Sequence, residues 1–167
     1  HGDIARREVG EFLVEAGASW YPRHSYGDHA TYELTFRTPE DLTFLVSGTR
    51  TDSTMVGDTM VTRWRMDTPT WNISFNIGHF ERHDFPADSG THAIVYYNEG
   101  LHRSFLKHSD RNAYREVGRD IRASLDLYDS LYGACMYDTL VVGEIIAPHG
   151  EAFPGFIHMG ANTFVGT

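Results

Sequence analysis

Apolar and polar residues alternate with a period of two along much of the first hundred positions, the pattern of half-buried strands. Thr31-Tyr32-Glu33-Leu34-Thr35-Phe36-Arg37 alternates over a strand length and stops at Thr38-Pro39. Leu42 to Ser47 forms a second, more continuous apolar run, closed by Gly48. Val56-Gly57-Asp58-Thr59 reads as a hairpin turn leading into a strand from Met60 to Met66. Trp71 to Ile77 alternates again, and after a polar turn from Asp84 to Gly90 the run Thr91 to Tyr97 completes the series. Closely spaced strands of this kind predict a twisted antiparallel sheet or sandwich.

The period then changes. Tyr114, Val117, Ile121, Leu125, Tyr128 and Leu131 recur at spacings of three and four, one apolar face of a helix. Arg115, Glu116, Arg119, Asp120 and Arg122 lie largely off that face. Ser109-Asp110 is the predicted N-cap region and Gly133 the predicted C-cap. A strand follows from Thr139 to Ile146, then a Gly/Pro loop from Gly150 to Gly155, then a short strand from Phe156 to Met159. The change from β to mixed texture places a boundary near residues 97–105. The predicted fold class is mixed β and α+β.

Composition narrows the functions. Hydrophobic residues make up 41% and charged residues 22% of 167, values of an ordinary globular domain rather than a disordered chain. Fourteen Lys and Arg against 23 Asp and Glu give a net charge of −9, which argues against a nucleic-acid partner. The longest apolar runs are far too short to cross a bilayer, so the chain is expected to be soluble; its compartment, export included, is unassigned. One cysteine, Cys135, excludes an internal disulfide. With His1-Gly2-Asp3 at its start, the sequence reads as a segment of something longer.

Few motifs carry chemistry on their own. His79-Phe80-Glu81-Arg82-His83 looks like a zinc motif, but Phe80 stands where the catalytic Glu belongs. In extended backbone its two histidines are about 13 Å apart, too far to share a zinc held at about 2 Å from each nitrogen. It is read as a polar strand end. His24 and His29 are assigned to a surface loop, and Cys135 is expected to be a small buried thiol. No glycine-rich phosphate loop is present. The loop His149-Gly150-Glu151-Ala152-Phe153-Pro154-Gly155 is different, because it puts one carboxylate and several backbone groups between two apolar strands. An ordinary strand connection with a solvated Glu is the competing reading.

The order of these signals resembles a known family. Trp20-Tyr21-Pro22, Thr38-Pro39-Glu40-Asp41-Leu42, Ser47-Gly48-Thr49, Trp64, and the run from Ile73 to Glu81 come first. Tyr132-Gly133, the strand Leu140-Val141-Val142-Gly143-Glu144-Ile145 and Phe153-Pro154-Gly155-Phe156-Ile157-His158 follow. Together they are similar to zinc aminopeptidases of the aminopeptidase N type, the gluzincins. The resemblance implies a β-sandwich or saddle segment, residues 1–97, from the latter part of an N-terminal β-domain. Residues 98–167 would then be the opening helix and strands of a thermolysin-like catalytic domain. It implies a parent that hydrolyses peptide bonds through metal-activated water, with a peptide as substrate and zinc as cofactor. The zinc helix would come after Thr167, so no metal ligand and no catalytic residue is expected in this chain, and none of the parent's activity.

The family's Gly-x-Met-Glu-Asn motif, whose Glu grips the substrate's free α-amino group, aligns with Ala152 at the Glu position and Phe153 at the Asn position. Glu151 is one residue out of register. Gly150, Glu151, Ala152 and Phe153 are thus the candidate substrate-binding residues that the resemblance implies. A truncated catalytic domain would expose apolar surface, so self-association of the isolated chain is expected. A non-catalytic β-module that binds a peptide or protein through a sheet edge is the alternative function.

Overall fold

The structure is a computed structural model describing residues 6–8, 11–15, 17, 18, 20–25, 27–87, 90–105 and 112–165. It forms two compact units, His1–His79 and Phe80–Thr167.

The first unit contains two antiparallel sheets. One comprises β1 (Arg6–Glu8), β2 (Glu11–Leu13), β4 (Thr43–Val46) and β7 (Phe75–Gly78), in the order β1-β2-β7-β4. The other comprises β3 (Ala30–Pro39), β5 (Thr49–Val56) and β6 (Thr59–Thr70), with β6 central. The apolar positions of the alternating strands meet in an aromatic cluster. Phe36 of β3 lies 4.0 Å from Phe44 of β4, and Phe44 lies 5.5 Å from Phe75 and 6.1 Å from Trp64, ring centre to ring centre. Gly57, at φ +66°, makes the predicted β5–β6 turn. The predicted strand at 71–77 begins only at Phe75. Ser74 spends its hydroxyl on the Val14 carbonyl, and Ile73 donates its N–H to Tyr21 Oη (3.2 Å), so the preceding stretch is tied down without a ladder.

The second unit has β8 (Glu81–Phe85), β9 (His92–Tyr97), α1 (Glu99–Phe105), α2 (Ala113–Tyr132) and β10 (Thr139–Ile145). β11 (Glu151–Phe153), β12 (Phe156–Gly160) and a 3-10 turn at Ala161–Phe164 complete it. The sheet order is β11-β12-β10-β9-β8, with β10 parallel to both β9 and β12 and the outer strands antiparallel. Because β8 and β9 are bonded into this sheet, the compact units divide upstream of the change in texture at 97–105. The predicted N-cap at Ser109-Asp110 lies outside the described residues.

Period-two alternation assigns the two faces of this sheet. Val95, Tyr97 and Val142 turn toward α2 and pack with Ala113, Val117 and Phe164, with Ile157 and Met159 beside them. Gly118 lets the helix approach closely: a Cβ there would stand 2.0 Å from Phe85 Cζ. The predicted apolar helix face is only partly covered, for Val117 and Leu125 are buried while Tyr128 (57%) and Leu131 (61%) are exposed.

Glu144, fully buried in β10, shares the helix face with Val142. Its Oε2 accepts the Asn98 N–H at 2.8 Å, and its Oε1 meets Nε2 of buried His102. Asn98 also caps α1, its Oδ1 accepting from the Leu101 N–H at 3.1 Å. His102 stacks on Tyr97 with ring centres 4.5 Å apart. One carboxylate thus ties the end of β9 and the start of α1 to the central strand. Burial raises the Glu144 pKa above its ordinary value, while His102 and the Asn98 N–H pull it back.

Folding must therefore couple to this proton. Where the native carboxyl is still protonated and the unfolded one is not, the unfolded chain binds fewer protons, so stability falls as pH rises just above the ordinary glutamate range. Urea unfolding across that range should show the fall in the wild type and lose it in Glu144→Gln. Glu144→Ala, which removes the bonds of the buried carboxylate to His102 and to the Asn98 N–H, should cost about 3 kcal/mol or more.

Candidate functional site

The four candidate residues form one arm of a tight hairpin. Gly150 precedes β11, and a Cβ there would come within 3.1 Å of the His158 carbonyl, so the approach of the backbone favours glycine. Glu151, Ala152 and Phe153 are β11 itself, paired antiparallel with His158, Ile157 and Phe156. The turn is Pro154-Gly155, with Gly155 at φ +66° and its carbonyl accepting the Val141 N–H at 2.9 Å. The expected loop is thus largely strand: three residues beside a two-residue turn suffice to pair, although Gly and Pro flank them.

This register decides the aim of each side chain. Ala152 is exposed and shares the helix-side face with Ile157 and Val142. Glu151 and Phe153 take the other face. Phe153 is buried 5.0 Å from the His158 ring, and Glu151 Oε2 stands 3.5 Å from Nδ1 of fully buried His158. The only carboxylate of the hairpin is therefore spent beside a histidine, across the sheet from Ala152. A cavity of about 370 Å³ borders the hairpin, lined by Gly150, Glu151, Ala152, His158, Asn162 and Thr163 among others.

The remaining candidates fall elsewhere. His79 is an exposed connector residue, whereas His83 of β8 stacks on Tyr114 at 3.5 Å between ring centres and 12° between planes. Burial lowers the His83 pKa, against the pull of Glu81. Among the described residues no group of three or more His, Cys, Asp or Glu converges as a metal site requires. His29 is exposed, with its Nδ1 3.2 Å from the Gly27 carbonyl of its own loop. Cys135 is exposed rather than buried, because the chain leaves α2 in an open turn where the Cys135 N–H donates to Asp129 Oδ1 at 3.1 Å.

Two features escaped the sequence. The first is Glu144, whose signal is a lone carboxylate inside Leu140-Val141-Val142-Gly143-Glu144-Ile145. The second is the cleft that Arg82 lines together with Arg115 and Arg119, two residues that the helix pattern only placed off its apolar face.

No family model matches the sequence, and no curated protein does either. Solved structures do match. An M1 zinc metallopeptidase from Deinococcus radiodurans aligns over 94% of this chain and 37% of its own, with a TM-score of 0.70 and 17% identity. A variant from the same organism bound to a Tyr-Ser-Ala substrate aligns over 95% and 38%, with a TM-score of 0.72 and 18% identity. A two-domain M1 zinc metallopeptidase variant bound to L-arginine gives a TM-score of 0.71 at 17% identity over 95% of this chain. The chain spans 37–38% of the length of these structures. Such low identity speaks to architecture alone, and on that evidence the chain has the fold of the matching stretch of the M1 zinc metallopeptidases.

Proposed function

We propose that these residues are part of a zinc-dependent peptidase in which the β11–β12 hairpin walls the substrate cleft without gripping the substrate's amino terminus. β11 is an edge strand, so Gly150, Glu151, Ala152 and Phe153 have backbone groups to offer an extended peptide. The observation that carries the reading is the hairpin register, which sets Glu151 beside His158 and leaves a methyl group at position 152. The bound zinc would supply an activated water. Its ligands are assigned outside the described residues.

A second reading, a binding module without catalysis, is favoured by β5. It is an edge strand exposed along its whole length, able to accept a further strand. A His-Glu-x-x-His motif encoded beyond Thr167 supports the enzyme, and its absence supports the module.

The isolated chain is proposed to self-associate. A groove of about 560 Å³ runs along α2, lined by Val117, Ile121, Leu125, Tyr128, Leu140 and Ile157 among others. It continues the predicted helix face whose end, at Tyr128 and Leu131, is exposed. Light scattering should show a concentration-dependent dimer or larger species that Leu131→Lys shifts toward monomer; a monomer at all concentrations would refute this.

For the whole enzyme, the discriminating assay pairs one peptide with free and acetylated amino termini. Glu151→Gln should change kcat/KM on the two by the same factor. A loss of a few kcal/mol of transition-state stabilisation confined to the free-amine peptide would instead make Glu151 the amino anchor.

A further inference from the structure

At the opposite edge of the five-stranded sheet from the hairpin, β8 and the first turns of α2 enclose an open cleft of about 600 Å³. It is lined by Arg82, His83, Asp84, Tyr114, Arg115 and Arg119, together with Phe85. We propose that this cleft binds a phosphate dianion.

Three arginines line it in a chain whose net charge is −9. Each is anchored at Nε, and the bonds of Arg115 and Arg119 leave their terminal nitrogens for a ligand. Arg82 is fixed by Asp84, through Nε at 2.9 Å and Nη2 at 2.7 Å. Arg115 Nε donates to Tyr114 Oη at 3.0 Å, and Arg119 Nε donates to the Arg115 carbonyl at 3.1 Å. Because Tyr114 Oη accepts from Arg115, its own proton is left to donate outward.

The charge count then matches the ligand. Asp84, held down at about 2 by Arg82 and His92, neutralises Arg82. Glu81 faces His83, 3.6 Å away, rather than an arginine. Arg115 and Arg119 have no carboxylate partner among the described residues, although side chains one helical turn apart repel when both are positive. Two uncompensated guanidiniums, each held at Nε with its terminal N–H groups left to donate, suit a doubly charged oxyanion and cost little further ordering when it binds. The neighbouring His83–Tyr114 stack closes one side of the cleft with a rigid wall.

The test is calorimetric titration of the protein with inorganic phosphate and with phenyl phosphate, each at ionic strength matched by chloride. Saturable one-to-one binding is expected, weakened about tenfold or more by Arg115→Gln and by Arg119→Gln. Both positions are exposed on the helix, so the thermal midpoint should be unchanged, and Arg37→Gln in the first unit should bind as the wild type does. Tighter binding of phenyl phosphate assigns a phosphate monoester and equal binding assigns free phosphate; either supports the site. No saturable binding, or equal binding by the Arg115→Gln/Arg119→Gln double variant, would overturn it.

Discussion

The second unit depends on one buried carboxylate. Glu144 sits on the middle strand of five, where water is excluded, and an unpartnered charge there would be costly. The backbone N–H of Asn98 and the ring of His102 answer it, and both belong to the junction of β9 and α1. That junction closes over Tyr97 and Phe164, which in turn pack with Val117 of α2. A single side chain thus joins the β9–α1 junction to the central strand, on the face that the apolar cluster gives to α2. Replacing the cluster with apolar residues of similar volume need not lower stability, since buried pairs often contribute little net energy. What the pair supplies here is a fixed point between β10 and the start of α1.

The aim of the hairpin follows from the same assignment. Once the face of Glu144 and Val142 is the helix side, the parallel pairing of β10 with β12 places Ile157 there. The antiparallel pairing of β12 with β11 then places Ala152 there and Glu151 on the reverse face. No local adjustment of a side chain undoes this, because a one-residue change of register reverses a whole strand. The geometry is why a peptidase-like fold is joined here to a hairpin whose acid points away from the helix side.

Much of this architecture was legible in the residues. Alternation found β3, short apolar runs found β4 and β9, a turn signal found the start of β6, and the three-and-four spacing found α2. β5 was illegible because Arg50-Thr51-Asp52-Ser53-Thr54 is polar on both faces; it exists by pairing with β6 alone. α1 is seven residues long and owes its start to Asn98, a cap that pattern alone could not separate from an ordinary loop asparagine. In the site, the one-residue displacement of Glu151 that the family resemblance implies left its aim open, since a Gly/Pro-flanked stretch could have been irregular enough to restore it. Pairing with β12 removes that freedom. The arginine cleft was hidden for another reason: Arg82 lies more than thirty positions from Arg115, and only the sheet brings them together.

The anchoring role of Glu144 is open to direct measurement through the Asn98 amide. Hydrogen exchange followed by NMR reports how often that N–H is released. The Asn98 amide should exchange as slowly as that of Val142 in the same unit, and should be released by sub-global opening in Glu144→Ala while Val142 stays protected. Exchange of the wild-type Asn98 amide at the rate of an exposed turn, such as that at Asp58, would show that the carboxylate does not hold α1 to the sheet.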